Sequence, residues 1–339
     1  MMQILKSGRL PFNGIFVAVA VVIMILYAFY YTYRKKYDVS TLVYITPAAI
    51  FFGFAGARFM YVTVCDQLYI DPADKWNLAD GGYALYGAAA GVILTVVVWW
   101  LLTKRRFKML KVMDALCISA PLAIALGRMG SVFSGDCFGV AVNNEKLRFF
   151  PVAIYKESGS SYHYAVFFYE AVFCLLIFFF IRFIDGKVKR SGTASFLFVT
   201  LYCSARSFFE GIREDSMYLT WFDRFIGFAR INQVISILTV IGLFIYISIK
   251  LCRLSGFKWK YLILYAIVTV SLVIAVFSVK DMDSESEVWN NAKILICCSV
   301  IAVTVSYTGL LYAIEAVKKK KAEHKKSVSD KTQQFSIVK

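Results

Sequence analysis

The stretch Ala125–Gly139, ALGRMGSVFSGDCFG, closes an apolar run with an arginine, two serines, an aspartate and four glycines. Such groups cannot face hydrocarbon, and irregular backbone at that depth is tolerated only where it lines a protein-enclosed or wet cavity. Glycines let the chain come close to a ligand, and serines and N–H groups supply donors. The stretch therefore reads as the wall of a polar pocket at the end of a membrane helix.

Working outward, the 339 residues are 59% hydrophobic and 17% aromatic, with mean hydropathy +0.64, far above a soluble domain. A span needs about 20 apolar residues, and runs of that length occur near 15–33, 41–64, 83–103, 111–131, 164–183, 193–210, 231–250, 259–279 and 293–317. The expected fold is an all-α, polytopic helical membrane protein of about nine transmembrane helices. The first run lacks a small-residue cleavage site and is closed by Arg34, Lys35 and Lys36, so it reads as a retained span rather than a signal peptide.

The net charge of +16 is concentrated in every second loop: Arg34–Lys36, Lys104–Lys111, Lys187–Arg190, Lys250–Lys260 and Lys318–Lys321. The intervening loops carry the acidic residues, among them Asp66, Asp136, Glu214 and Asp283. This alternation places the N-terminus outside and the C-terminus in the cytoplasm, and it assigns the basic charge to topology and anionic lipid, with no nucleic acid. No loop is long enough for a soluble core. The tail from Lys318, rich in Lys, Ser and Gln, reads as disordered, and Ser216–Arg230 reads as an interfacial amphipathic helix or a structured loop. Gly53, Gly56, Gly87 and Gly91 read as helix-packing positions. The eight cysteines show no metal-ligand spacing, so they read as packing residues, and no metal or organic cofactor is implied.

An ionisable side chain inside a span costs about 2.5–3.5 kcal/mol on insertion scales and marks function by default. The candidates are Arg58, Asp114, Arg128, Glu170, Arg206, Glu210 and Arg213. Spacings of four and three put Arg206, Glu210 and Arg213 on one helical face. The four arginines fall toward the outer leaflet, where guanidinium groups suit a phosphate, and a phospholipid head group is the evident anion. They outnumber the nearby carboxylates, which leaves positive charge for a ligand. The alternative is interhelical ion pairing that only locks helices together, for example Arg128 with Glu210 or Arg206 with Asp136.

These residues resemble the prolipoprotein diacylglyceryl transferase family. Gly127, Arg128, Gly130 and Gly139 match its signature, approximately GRxGNFxNxExxG, with Asp136 in place of the glutamate and Ser131 and Ser134 in place of the asparagines. Arg206, Glu210, Arg213 and Glu214 in RSFFEGIRE match its RxxxExxRE pattern, and INQVIS from Ile231 resembles the segment opening its last helix. Asp114, the Tyr169–Glu170 pair, GARFMYV, PFNGIF and YALYGAAAGVI resemble further blocks in order, with Tyr86 where the family usually has histidine and Asn13 where it has tyrosine.

The resemblance implies a seven-helix core over residues 1–252, to which this chain adds two helices at 253–317 and a tail at 318–339. It implies transfer of diacylglycerol from phosphatidylglycerol to the lipobox cysteine of a prolipoprotein, in the bacterial cytoplasmic membrane with the site facing the outer leaflet. Arg128, Arg206, Glu210, Asp136 and Tyr86 are then the catalytic candidates. Arg58, Asp114, Ser131, Ser134, Gly139 and Arg213 are the substrate-binding candidates. The partners are phosphatidylglycerol, the lipobox peptide and the bilayer. The alternatives are a non-catalytic anionic-phospholipid-binding protein, a transferase with another acceptor and an anion transporter.

Overall fold

The computed structural model describes residues 12–66, 69, 75, 77, 81–142, 144–156, 160–188, 190–217, 230–255, 263–264, 266–268, 270–271 and 295–319. Eight long helices account for most of them. They are α1 (Phe12–Arg34), α2 (Val39–Val64), α3 (Leu85–Leu102) and α4 (Met109–Ser134). After a small ribbon come α5 (Val166–Lys187), α6 (Thr193–Ile212), α7 (Ile231–Ser255) and α8 (Leu295–Lys319).

Seven helices among the described residues are long and apolar enough to cross a membrane, and α6, which carries Arg206 and Glu210, is not one of them. The protein is an all-helical, multi-pass membrane protein. The expected span at 259–279 is helical at the few positions described between 263 and 271. The rest of that span lies outside the described residues, as do most of the interfacial segment at 216–230, the acidic loop at 281–291 and the tail beyond 319.

Local chemistry sets the helix ends. Asp38 caps α2 by accepting from the Ser40 N–H at 3.1 Å, satisfying a donor that the helix leaves unpaired. Gly135 ends α4 with a left-handed φ of 73° and donates its N–H to the Ser131 carbonyl at 3.0 Å, a stop in which only glycine is unstrained.

Helix α4 is the hub: it packs on α1, α5 and α6, while α2 pairs with α3 and α6 with α7. Ile118, Ile181, Leu197 and Val96 are fully buried between the helices, whereas Phe51, Leu102 and Phe179 point outward, as a lipid-facing surface requires. At the α2–α3 crossing a Cβ on Gly56 would sit 2.5 Å from the Gly87 carbonyl oxygen, so these two glycines let the backbones touch, as expected. Helix α8 lies against the core: its Ile301 and Val305 pack with Cys203, Val240 and Phe244, and the Tyr312 hydroxyl accepts from Arg190 at 2.6 Å.

The C-terminal ends of α4 and α6 and the N-terminal end of α5 meet under a small β ladder. Strands β1 (Ala153–Lys156) and β2 (Ser161–Tyr164) are antiparallel, with Ile154 opposite His163. Bridges Ala141–His163 and Gly139–Arg213 extend the ladder through the segment after α4 to the end of α6. Gly139 has no room for a side chain, because a Cβ there would lie 2.8 Å from both Tyr164 Cβ and Val166 Cγ2.

Candidate functional site

Arg128 and Arg206 each sit six residues before the end of their helix, and Glu170 sits four residues into α5. At 1.5 Å per residue this places all three about 6–9 Å inside the helix ends. Glu170 joins the two arginines: its Oε2 is 2.5 Å from Arg128 Nε, and its Oε1 accepts from Arg206 NH1. The other edge of Arg206 meets Glu210 Oε2 at 2.7 Å. Glu210 is wholly buried, and its Oε1 accepts from Asn232 Nδ2 at 2.9 Å. Three helices thus contribute to one chain of alternating charge, Arg128–Glu170–Arg206–Glu210, with Asn232 of α7 bound to its end, and the pairing offsets the desolvation that each member suffers.

The chain continues into the loop. Arg213, at the end of α6, lies 3.9 Å from Glu210 Oε2 and donates to Asp215 through Nε at 2.9 Å and NH2 at 2.8 Å. Asp215 also accepts from the Cys137 N–H at 3.0 Å, and the Cys137 sulfur lies 2.7 Å from Arg128 NH1. Burial opposes ionisation of Asp215, but the Arg213 fork outweighs it and holds the carboxyl below the usual range. Asp136 is the reverse case: its burial, with Asp215 nearby, raises the carboxyl above the usual range despite the Ser134 hydroxyl and the Arg213 and Arg128 charges.

The arrangement corrects the expected charge balance. Arg128, Arg206 and Arg213 face Glu170, Glu210 and Asp215 in direct ion pairs, with Asp136 beside them. Among the described residues each of these three arginines thus has a carboxylate partner, and Arg230 donates to the Glu210 backbone carbonyl. The alternative of interhelical pairing is what forms, with other partners than its two examples: Arg128 takes Glu170 rather than Glu210, and Arg206 takes Glu170 and Glu210 rather than Asp136.

Two expected head-group residues have structural partners of their own, and one of them, Asp114, lies at the far end of the bundle. Arg58 is 2% exposed, and its donors go to the backbone carbonyls of Lys75, Asn77, Gly81 and Gly82, so it fastens the α2–α3 connection. Asp114 sits at the opposite end of α4 and accepts from the Gly192 N–H at 2.5 Å and the Ser195 N–H at 2.9 Å. It caps α6, fourteen residues or about 21 Å along the helix from Arg128.

The remaining candidates line the same end of the bundle. Ser131 is buried and its carbonyl accepts from the Ser134 hydroxyl at 3.3 Å, while Gly139 joins the ladder to Arg213. Tyr86 reaches across from α3 to hydrogen-bond Ser236 on α7, with Cys203 Sγ at 3.9 Å. Glu170 was legible as an intramembrane carboxylate, but nothing in its spacing showed that it bridges the two arginines. Asp215 and Cys137 carried no signal, because one sits in a loop and the other reads as packing. Among the described residues no three His, Cys, Asp or Glu side chains converge where a metal ion could be held.

Comparison with known proteins gives this geometry its context. The model of the prolipoprotein diacylglyceryl transferase family matches residues 2–249. A phosphatidylglycerol–prolipoprotein diacylglyceryl transferase of Clostridium botulinum (strain 657 / Type Ba4) is 29% identical over 246 residues, covering 70% of this chain and 93% of that one. The enzyme of the same name from Thermotoga maritima is 32% identical over 172 residues, covering 49% of this chain and 58% of its own. All the chemistry-bearing residues described above fall inside the matched region, and α8 falls beyond it.

Proposed function

The chain belongs to the prolipoprotein diacylglyceryl transferase family, and from that premise we propose that it transfers diacylglycerol from phosphatidylglycerol to the lipobox cysteine thiol of a prolipoprotein. The observation that carries the proposal is the buried Arg128–Glu170–Arg206–Glu210 chain at one end of the bundle. It is a fixed electrostatic frame, and fixed charges aimed at developing charge lower a barrier more than mobile ones do.

In this reading the acceptor sulfur attacks the glyceryl carbon next to the phosphate ester. A C–S bond forms, the C–O bond breaks with its electron pair, and glycerol phosphate leaves. Arg128 meets the phosphate first, since its side chain keeps 14% exposure against 5% for Arg206. The thiol proton passes to Asp136, whose raised affinity for protons suits a base acting on a group with a reference pKa of about 8.5. Glu170 and Glu210 hold the guanidinium planes. Tyr86, tied to Ser236, closes the α3 side.

Several further assignments belong to this reading. The site end faces the outer leaflet of a bacterial cytoplasmic membrane, with the N-terminus outside and the C-terminus inside. In support, Arg34, Lys104, Arg105, Arg106, Lys108 and Lys187 all cluster at the opposite helix ends. Residues 1–252 form the catalytic core, 253–317 an added helical pair and 318–339 a basic tail.

The test mixes purified protein, phosphatidylglycerol and a lipobox peptide, and follows glycerol phosphate release together with peptide mass. A diacylglyceryl mass gain that Arg206→Ala abolishes is expected. Lipid binding without release or mass gain would make the protein a phospholipid-binding relative instead.

A further inference from the structure

We propose that Cys137 is a positioning residue for Arg128, and that Asp215 positions Cys137 in turn. The proposal rests on the transferase reading above. Arg128 meets Glu170 on Nε, from α5, and the Cys137 sulfur at 2.7 Å on NH1, from the loop, with the Tyr202 hydroxyl of α6 also beside it. The glutamate fixes one edge of the guanidinium plane. The sulfur stops the plane from turning about that edge, so the far side of Arg128 keeps one direction toward the head group.

Three observations place that sulfur. Cys137 is 4% exposed and adopts a left-handed φ of 62°, a conformation that costs energy in any residue with a Cβ and persists only where the surroundings enforce it. Its N–H is held by Asp215, which Arg213 grips with two hydrogen bonds. Its carbonyl accepts from the Phe167 N–H at 3.1 Å, three residues before Glu170. The same short segment is thus tied to α5, which carries the other partner of Arg128, and to the end of α6, which carries Arg206. An arginine aligned from both sides is what phosphate recognition by a planar fork requires.

Replacing the side chain separates positioning from packing. Cys137→Gly removes the sulfur and relieves the left-handed backbone, which offsets part of the packing lost with a buried side chain, so only a small change in stability is expected. Its kcat should nevertheless fall about tenfold, because small misplacements of a charged group cost this much or more, with a smaller change in the KM for lipid. Cys137→Ser restores a polar atom in the same place and should recover kcat to within about threefold of the unsubstituted protein. In an Arg128→Lys background, Cys137→Gly should cost nothing further, since the group it aligns is gone.

The measurement is glycerol phosphate release and peptide mass gain over a range of phosphatidylglycerol concentrations, with thermal unfolding in detergent alongside. Activity that follows stability across the Gly and Ser variants, or a Gly variant as active as the unsubstituted protein, overturns the positioning role while leaving the transferase reading intact. An additive loss in the Arg128→Lys background overturns it as well. No transfer by the unsubstituted protein overturns both.

Discussion

Glu170 on α5 and Arg206 on α6 form a buried ion pair whose carboxylate carries a second arginine, Arg128, on its other oxygen. Glu170 is 3% exposed, so its removal leaves two guanidinium groups partly uncompensated in a low-dielectric interior. Glu170→Ala is expected to cost about 3–5 kcal/mol of stability, the usual result of breaking a buried pair from one side. Thermal unfolding in detergent checks this, and a loss below 1 kcal/mol would mean that the arginines find other partners.

With Asp136 as the base of the proposed transfer, activity should depend on pH. The Asp136 carboxyl is raised above the ordinary range, mainly by burial, and it must be ionised to accept the thiol proton. Activity should therefore fall as pH drops through that raised value, giving an acid limb of kcat/KM above the ordinary aspartate range. In Asp136→Asn the limb should vanish along with most of the rate. The stability sign is opposite: a raised folded value means that ionisation opposes folding, so the Asn variant should be at least as stable as the parent at neutral pH.

Asp114 should behave as a helix cap and not as a ligand contact. Asp114→Ala removes the acceptor of the Gly192 and Ser195 N–H groups and is expected to cost about 1–2 kcal/mol. The KM for phosphatidylglycerol should stay unchanged in the folded fraction. A rise in KM without loss of stability would return Asp114 to the binding site.

The glycines of the opening stretch should divide by location. Gly139→Ala drives a Cβ to 2.8 Å from Tyr164 Cβ and Val166 Cγ2 and should destabilise the ladder over the site, lowering both the unfolding temperature and activity. Gly127 lies inside α4 with nothing within 4 Å of an added Cβ. Gly127→Ala should instead gain about 0.5–1 kcal/mol from the lower backbone entropy of alanine. Paired unfolding curves decide both.

Much of this protein follows from the amino-acid order alone. Apolar runs of bilayer length fix where helices form, since hydrocarbon leaves the backbone no partner but itself. Gly56 and Gly87 were legible as helix-packing positions, although that they meet each other is seen only in the structure. Arg128, Arg206 and Glu210 were conspicuous because a charge within an apolar run needs a purpose.

Pairing was beyond the reach of sequence. Which carboxylate meets which guanidinium depends on which helix ends converge, and four helices separated by up to about a hundred residues converge here. Arg58 and Asp114 looked equivalent to the site residues, yet carbonyls from one loop claim the first and the N–H groups at the start of α6 claim the second. Cys137 looked like packing until the turn after Gly135 laid its sulfur on Arg128. Charge and hydropathy are properties of residues and can be read in one dimension. Neutralisation belongs to distances between residues, and those exist only once the chain has folded.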